Sequence, residues 1–371
     1  METNPLLDGS HDKEERTMER ITDIELSSIQ TEDPQARSFS NNANSILIQE
    51  DDIETPYGNL HVAIQGDRSK MAIITFHDIG LNHVTNFQGF FSYQDMQPIL
   101  RHFCVYHVNA PGQEESALHL RPEFVYPSMD ELAHSIQNVV DNYGLARFIG
   151  FGMGTGSNIL SRYALRHPET VDSLVLINPT CGKSGWVEWG YQKMNSWYLW
   201  SGQMTNFTEE YLLWHWFGSK TRWTNTDLVQ VFRQYIKTIN PQNLSLIIES
   251  YLKRTDLGII RELDQMKRSG TNTLKCRTML LVGDDSPHID DVISMNSRMD
   301  PQETDFFKIS DCGGMPLEEQ PGKVCEAFRL FLQGMGYVPS LNRLPRQNHV
   351  ANNNPQKLVS ATDFTNVTPV C

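Results

Sequence analysis

Residues 145–165, "LARFIGFGMGTGSNILSRYAL", run from an apolar, strand-like stretch through alternating Gly150, Gly152, Gly154 and Gly156 into a segment with helical spacing. A strand, sharp turn and helix of this kind is where G-x-S-x-G presents a serine for acyl transfer, with small neighbours because the turn forces close backbone contact. "GFGMG", Gly150 to Gly154, fits that turn except at the nucleophile, where Gly152 has no side-chain atom to attack a carbonyl. Met153 follows, a bulky apolar group for the space above the turn. Such a nucleophile also needs a histidine base and an acid to orient it. "GGMPLEEQP" aligns with the arrangement G-H-x-x-x-x-E-x-P, keeping Glu319 and Pro321 but placing Gly314 at the histidine. After "RTMLLVGDD", Asp284 and Asp285 are available as the acid. An acid alone activates nothing.

Ahead of these, "TFHDIGLNH" (75–83) has the form of a strand and HG-type loop that supplies an oxyanion-hole amide. Asp78 takes the second place of that loop, and a carboxylate pointing inward opposes a developing oxyanion. The expected remains of a pocket are therefore His77, Asp78, Gly152, Met153, Asp284, Asp285 and Gly314, with no catalytic residue, cofactor or metal ligand assigned. A displaced centre would use Thr155 or Ser157 as nucleophile and His77 or His83 as base. Both hydroxyls, however, fall in the first turn of the helix, away from the strand end. His77 and His83 read as hydrogen-bonded structural histidines, and the two aspartates as loop or helix-cap residues. A phosphate-binding reading of the glycines fails on spacing, since Thr155 or Ser157 takes the third glycine's place in G-x-G-x-x-G.

Such loops need a sheet to carry them. "NLHVAIQG", "MAIITFHDIG", "FCVYHVNAPG", "ARFIGFG", "VDSLVLINPT", "RTMLLVGDD" and "TDFFKISDCGG" alternate with amphipathic stretches. Continuous apolar strands separated by helices predict an α/β, mostly parallel, doubly wound sheet with its functional loops at the carboxyl ends of the strands. Between "LINPTCGKSG" and "RTMLLVGDD" the rhythm breaks into an aromatic-rich helical stretch holding all seven tryptophans, which predicts a helical cap over about 183–270. The boundaries are an acidic arm at 1–45, one domain at 46–339 and a flexible tail at 340–371. The arm lacks the large apolar residues needed to offset ordering entropy, although Ile21, Ile24, Leu26 and Ile29 have loosely helical spacing.

The formal charge is −14, and residues 1–55 hold 14 acids against 4 bases, so the remainder is near neutral. No basic stripe suits nucleic acid. Six scattered cysteines form no CxxC pair, which fits reduced thiols. The start lacks a secretory pattern and no run reaches a membrane-spanning length. The expectation is a cytoplasmic protein, with a peripheral place at membranes as an extension. The sequons at Asn206 and Asn243 are read as chance matches.

The motifs "HDIGLNH", "NAPGQEE", "YPSMDELA", "GFGMGTGSNIL", "LVLINPTCGKSGWVEW", "LLVGDDSP", "SDCGGMPLEEQP" and "GMGYVPS" resemble those of the N-myc downstream-regulated (NDR) family over about residues 50–340. The resemblance implies an α/β-hydrolase fold without demonstrated hydrolase activity. It also implies a cytoplasmic role in stress response, differentiation, growth control and vesicle trafficking. Some members carry repeated basophilic kinase sites in a long tail, whereas this tail has Arg343 and Arg346 with no Ser or Thr at the matching distance. Three functional readings follow: a non-catalytic adaptor contacting protein partners and lipid, a hydrolase with a rearranged site at Asp78 or His77, and a small-molecule sensor using the vestigial pocket.

Overall fold

The computed structural model describes residues 48–338, less the side chains of 186–189, 191, 192 and 265. The acidic arm and the tail of the sequence reading lie outside the described residues.

Eight strands form one sheet: β1 (Ile48–Ile53), β2 (Leu60–Gly66), β3 (Met71–Phe76), β4 (Phe103–Asn109), β5 (Phe148–Met153), β6 (Val171–Ile177), β7 (Arg277–Gly283) and β8 (Thr304–Ile309). Their spatial order is β1-β2-β4-β3-β5-β6-β7-β8. β2 pairs antiparallel with β1 and β4, and every pairing from β4 to β8 is parallel. β4 and β5 are buried along their whole length, as expected where helices cover both faces of a parallel sheet. β1 was not read as a strand from sequence. Its "IQEDDI" is exposed except near Ile53, and an acidic sheet edge of this kind resists pairing with another chain.

Helix α1 (Met129–Tyr143) starts at a capping box in which Ser128 and Glu131 satisfy each other's backbone amides, and it ends at left-handed Gly144. Helix α2 (Thr155–Arg166) follows β5 and is buried from Thr155 through Ala164. Between β6 and β7 come α3 (Trp186–Trp200), α4 (Asn206–Thr224), α5 (Thr226–Ile236) and α6 (Pro241–Leu252). Helices α7 (Ile289–Ser297) and α8 (Pro321–Gly334) complete the layers. Phe87, Phe91, Phe151 and Phe328 pack edge to face in the core. Of the tryptophans, Trp216 is fully buried while Trp197, Trp200, Trp214 and Trp223 are exposed. No described helix is long and apolar enough to cross a membrane.

Candidate functional site

The sharp strand-to-helix turn lies at Gly154, two residues beyond the position read from sequence. β5 continues through Met153, and Gly154, with φ 50° and ψ −112°, precedes the first residue of α2. That is the strained junction which lifts a nucleophile above the strand end. The frame is therefore "GMGTG", with Gly152 as its first glycine. A Cβ on Gly152 would lie 2.6 Å from the Ser157 nitrogen, and one on Gly156 would lie 1.9 Å from the Phe76 carbonyl oxygen. These two glycines let α2 press against the strand ends.

A Cβ on Gly154 would lie 2.1 Å from both Cγ and Oδ1 of Asp78. The carboxylate thus fills the place of a nucleophile's side chain. Its Oδ1 accepts from the backbone N–H of Thr155 and of Ile79, both at 2.8 Å. In acyl-transfer sites of this plan, the amide after the nucleophile and an amide from the loop after β3 form the oxyanion hole. Here Asp78 holds both. Its Oδ2 accepts from Nε2 of His215 at 2.9 Å, and its own N–H donates to Oδ1 of Asn86 at 2.9 Å. Burial works to raise this carboxyl, but the charge and hydrogen bond of His215, with the Thr155 amide, bring it down to about 2. The group is a buried, fully bonded anion.

His77 has both ring nitrogens committed: Nδ1 donates to the Asp78 carbonyl at 2.8 Å and Nε2 accepts from the Ala110 N–H at 3.0 Å. Burial pulls its pKa down to about 4, so the ring is neutral. His83 sits beside Asn109, which accepts from its backbone N–H and meets its Nδ1 at 2.9 Å. Met153 is buried with its sulfur on Asn86. Ser157 donates to the Ile177 carbonyl at 2.9 Å, whereas the Thr155 hydroxyl is buried without a partner.

Asp284 and Asp285 take partners other than Asp78 and His215. Asp284 accepts from the Cys312 amide at 3.1 Å. Burial works to raise its carboxyl, but the Cys312 and Asp311 amides and the Lys220 charge hold it below the usual range. Asp285 pairs with Lys220 at 2.7 Å. At Gly314 a Cβ would lie 2.4 Å from the Trp216 carbonyl oxygen, so cap backbone occupies the space a histidine there would need. Glu319 fixes this loop, accepting from the Gly313 and Met315 amides and from the Thr221 hydroxyl.

Helix α4 is part of the site although no motif in the sequence marks it. His215 and Trp216 reach Asp78 and the Ile79 carbonyl, the latter through the Trp216 indole N–H at 3.0 Å. His288 donates to the His215 carbonyl at 2.9 Å, and the two rings meet edge to face at 4.7 Å. The only sequence signal was a histidine between two tryptophans in "YLLWHWFG". Clefts of about 30, 280 and 650 Å³ lie elsewhere, with neither Asp78, Gly154 nor His215 in their walls.

Comparison with known proteins places the fold and the family. The chain is similar in fold to a thermophilic esterase from Thermogutta terrifontis, with TM-score 0.62 and 18% identity over 77% of this chain and 98% of that one. A hydrolase from Pseudomonas aeruginosa PA01 gives 0.61 and 17% over 78% and 99%. These establish an α/β-hydrolase fold. In sequence it is 44% identical to Protein NDRG1-B of Xenopus laevis, over 81% of this chain and 74% of that protein. It is 40% identical to Protein NDRG3 of Xenopus laevis, over 89% and 87%. The Ndr family model matches residues 50–339. With that match covering all but the first two of the described residues, the chain belongs to the Ndr family.

Proposed function

We propose that this chain is a non-catalytic adaptor on the α/β-hydrolase fold. It works in the cytoplasm in signalling, stress response, differentiation or vesicle trafficking, through protein partners and peripheral contact with lipid. One observation carries the non-catalytic reading: Asp78 Oδ1 accepts both amides that would stabilise an oxyanion, while Gly154 carries no nucleophile. A substrate carbonyl would have to displace a bonded anion and would find no attacking group. The rearranged-hydrolase and sensor readings both need space beside the elbow, and the burial of Asp78, His215 and Trp216 there, each more than nine-tenths, favours the adaptor over them. Exposed Met194, Trp197 and Trp200, at i, i+3 and i+6 on α3, support an interaction role, since such side chains anchor docked partners.

The test is exposure of the folded chain to a fluorophosphonate probe and a panel of activated esters. Labelling and turnover are expected to match a heat-denatured control. Stoichiometric labelling, or turnover abolished by Asp78→Ala, would overturn the reading.

A further inference from the structure

A groove of about 650 Å³ opens beyond the carboxyl end of β4, between the loop after that strand and the turn joining β1 to β2. Pro111, Leu118, Leu120 and Phe124 give it apolar walls, and Asp52, Glu114 and Glu115 make it acidic, with Arg121 its one lysine or arginine. Glu114 and Glu115 also line the small cleft on the other side of the same loop. Among the described residues, neither glutamate takes part in an ion pair.

The loop is set in place from the cap. The Asn243 side chain donates to the Gly112 and Leu118 carbonyls, at 3.0 and 2.8 Å, and accepts from the Leu120 N–H at 3.1 Å. These bonds use up its amide, so this packing leaves no room for a group attached there. The groove is preorganised, and two carboxylates stand in it unpaired.

We propose that the occupant is this chain's own segment 343–357. It carries Arg343, Arg346 and Lys357 and no acid, with Leu344 and Val350 spaced between them. Bases meet the acidic walls and the aliphatic side chains meet the apolar ones. The N-terminal region outside the described residues has the wrong sign for this groove, with 10 acids against 4 bases in residues 1–47.

Reach allows the docking. The Tyr337 ring packs on Phe103, with centroids 5.8 Å apart, at the start of β4. The groove begins just past the other end of that strand, which spans roughly 20 Å. Arg343 and Arg346 lie five and eight residues beyond Val338, up to about 18 and 28 Å of extended chain, so Arg343 reaches the near rim only with its long side chain while Arg346 enters the groove, and Lys357 reaches much further.

The test uses the full chain. Hydrogen exchange of amides 112–121 is compared in the parent, in Arg343→Glu/Arg346→Glu, and in that variant combined with Glu114→Arg/Glu115→Arg. Exchange is expected to speed up about threefold in the tail variant, as two exposed ion pairs would allow, and to return toward the parent in the charge-swapped chain. Zero-length carbodiimide coupling should join Lys357 to Glu114 or Glu115 within one molecule.

Identical exchange in parent and tail variant would overturn the proposal. So would cross-links found only between differently labelled copies, which would assign the groove to a second chain. A synthetic 343–357 peptide that bound parent and tail variant equally would also overturn it, by showing an open groove for an external basic partner.

Discussion

Asp78 Oδ1 lies 2.8 Å from the backbone nitrogen of Thr155, across 77 residues of sequence. A loop residue from β3 thus terminates the anion hole of the β5 elbow, and the two positions are coupled.

That coupling predicts the behaviour of Gly154→Ser. The new Cβ would overlap the Asp78 carboxylate, so the substitution should cost about 3 kcal/mol or more. Asp78→Ala alone strands His215 and should cost about 3–5 kcal/mol, the range for breaking a buried pair. The double variant should lose at least about 2 kcal/mol less than the sum. Urea denaturation of the four proteins checks this, and additive losses would show that the two sites do not share space.

Gly152→Ser supplies the contrast. Its Cβ would meet the Ser157 backbone rather than Asp78, so removing Asp78 should give no rescue. Rescue at position 152 and none at 154 in the same denaturation series would place the elbow where the sequence suggested.

The misplacement has a specific cause. Gly150, Gly152, Gly154 and Gly156 offer two overlapping G-x-G-x-G frames, and what separates them is where β5 stops, a tertiary property. The strands were legible because each is a continuous apolar run ending in turn residues, and the cap because the tryptophans cluster between two of those runs. Asp78 stood out because a carboxylate there conflicts with the chemistry of the hole. His215 did not, because its partner lies 137 residues away and a histidine in an aromatic helix looks like packing.

His215→Ala should release α4 more than it harms the sheet. The loss is expected at about 3 kcal/mol, since Asp78 Oδ2 would be left buried and unpaired. Hydrogen exchange should accelerate across 206–224 while β4 and β5 stay protected. Uniform acceleration over the whole chain would refute a local latch.

Acid should destabilise the protein well before the carboxylates titrate. Burial lowers His77 to about 4 and His107 to about 3. The unfolded chain therefore binds more protons than the folded one between about pH 6.5 and 4. Stability is fully present above pH 6.5 and falls through that window, by about 1.4 kcal/mol per pH unit for each histidine. Asp78, held at about 2, adds a further loss between about pH 4 and 2. Denaturation midpoints measured from pH 7.5 to 4 should show the first slope, and His107→Gln should flatten it. A flat profile in the parent would count against neutral buried histidines.

The carboxylate in the elbow also limits which substitutions the turn accepts. Serine at 154 collides with Asp78, and loss of Asp78 strands a buried histidine, so each single step toward a nucleophile at this turn lowers stability. A side chain at 154 and the carboxylate at 78 compete for one volume, so the elbow holds either a nucleophile or the His215 latch and never both.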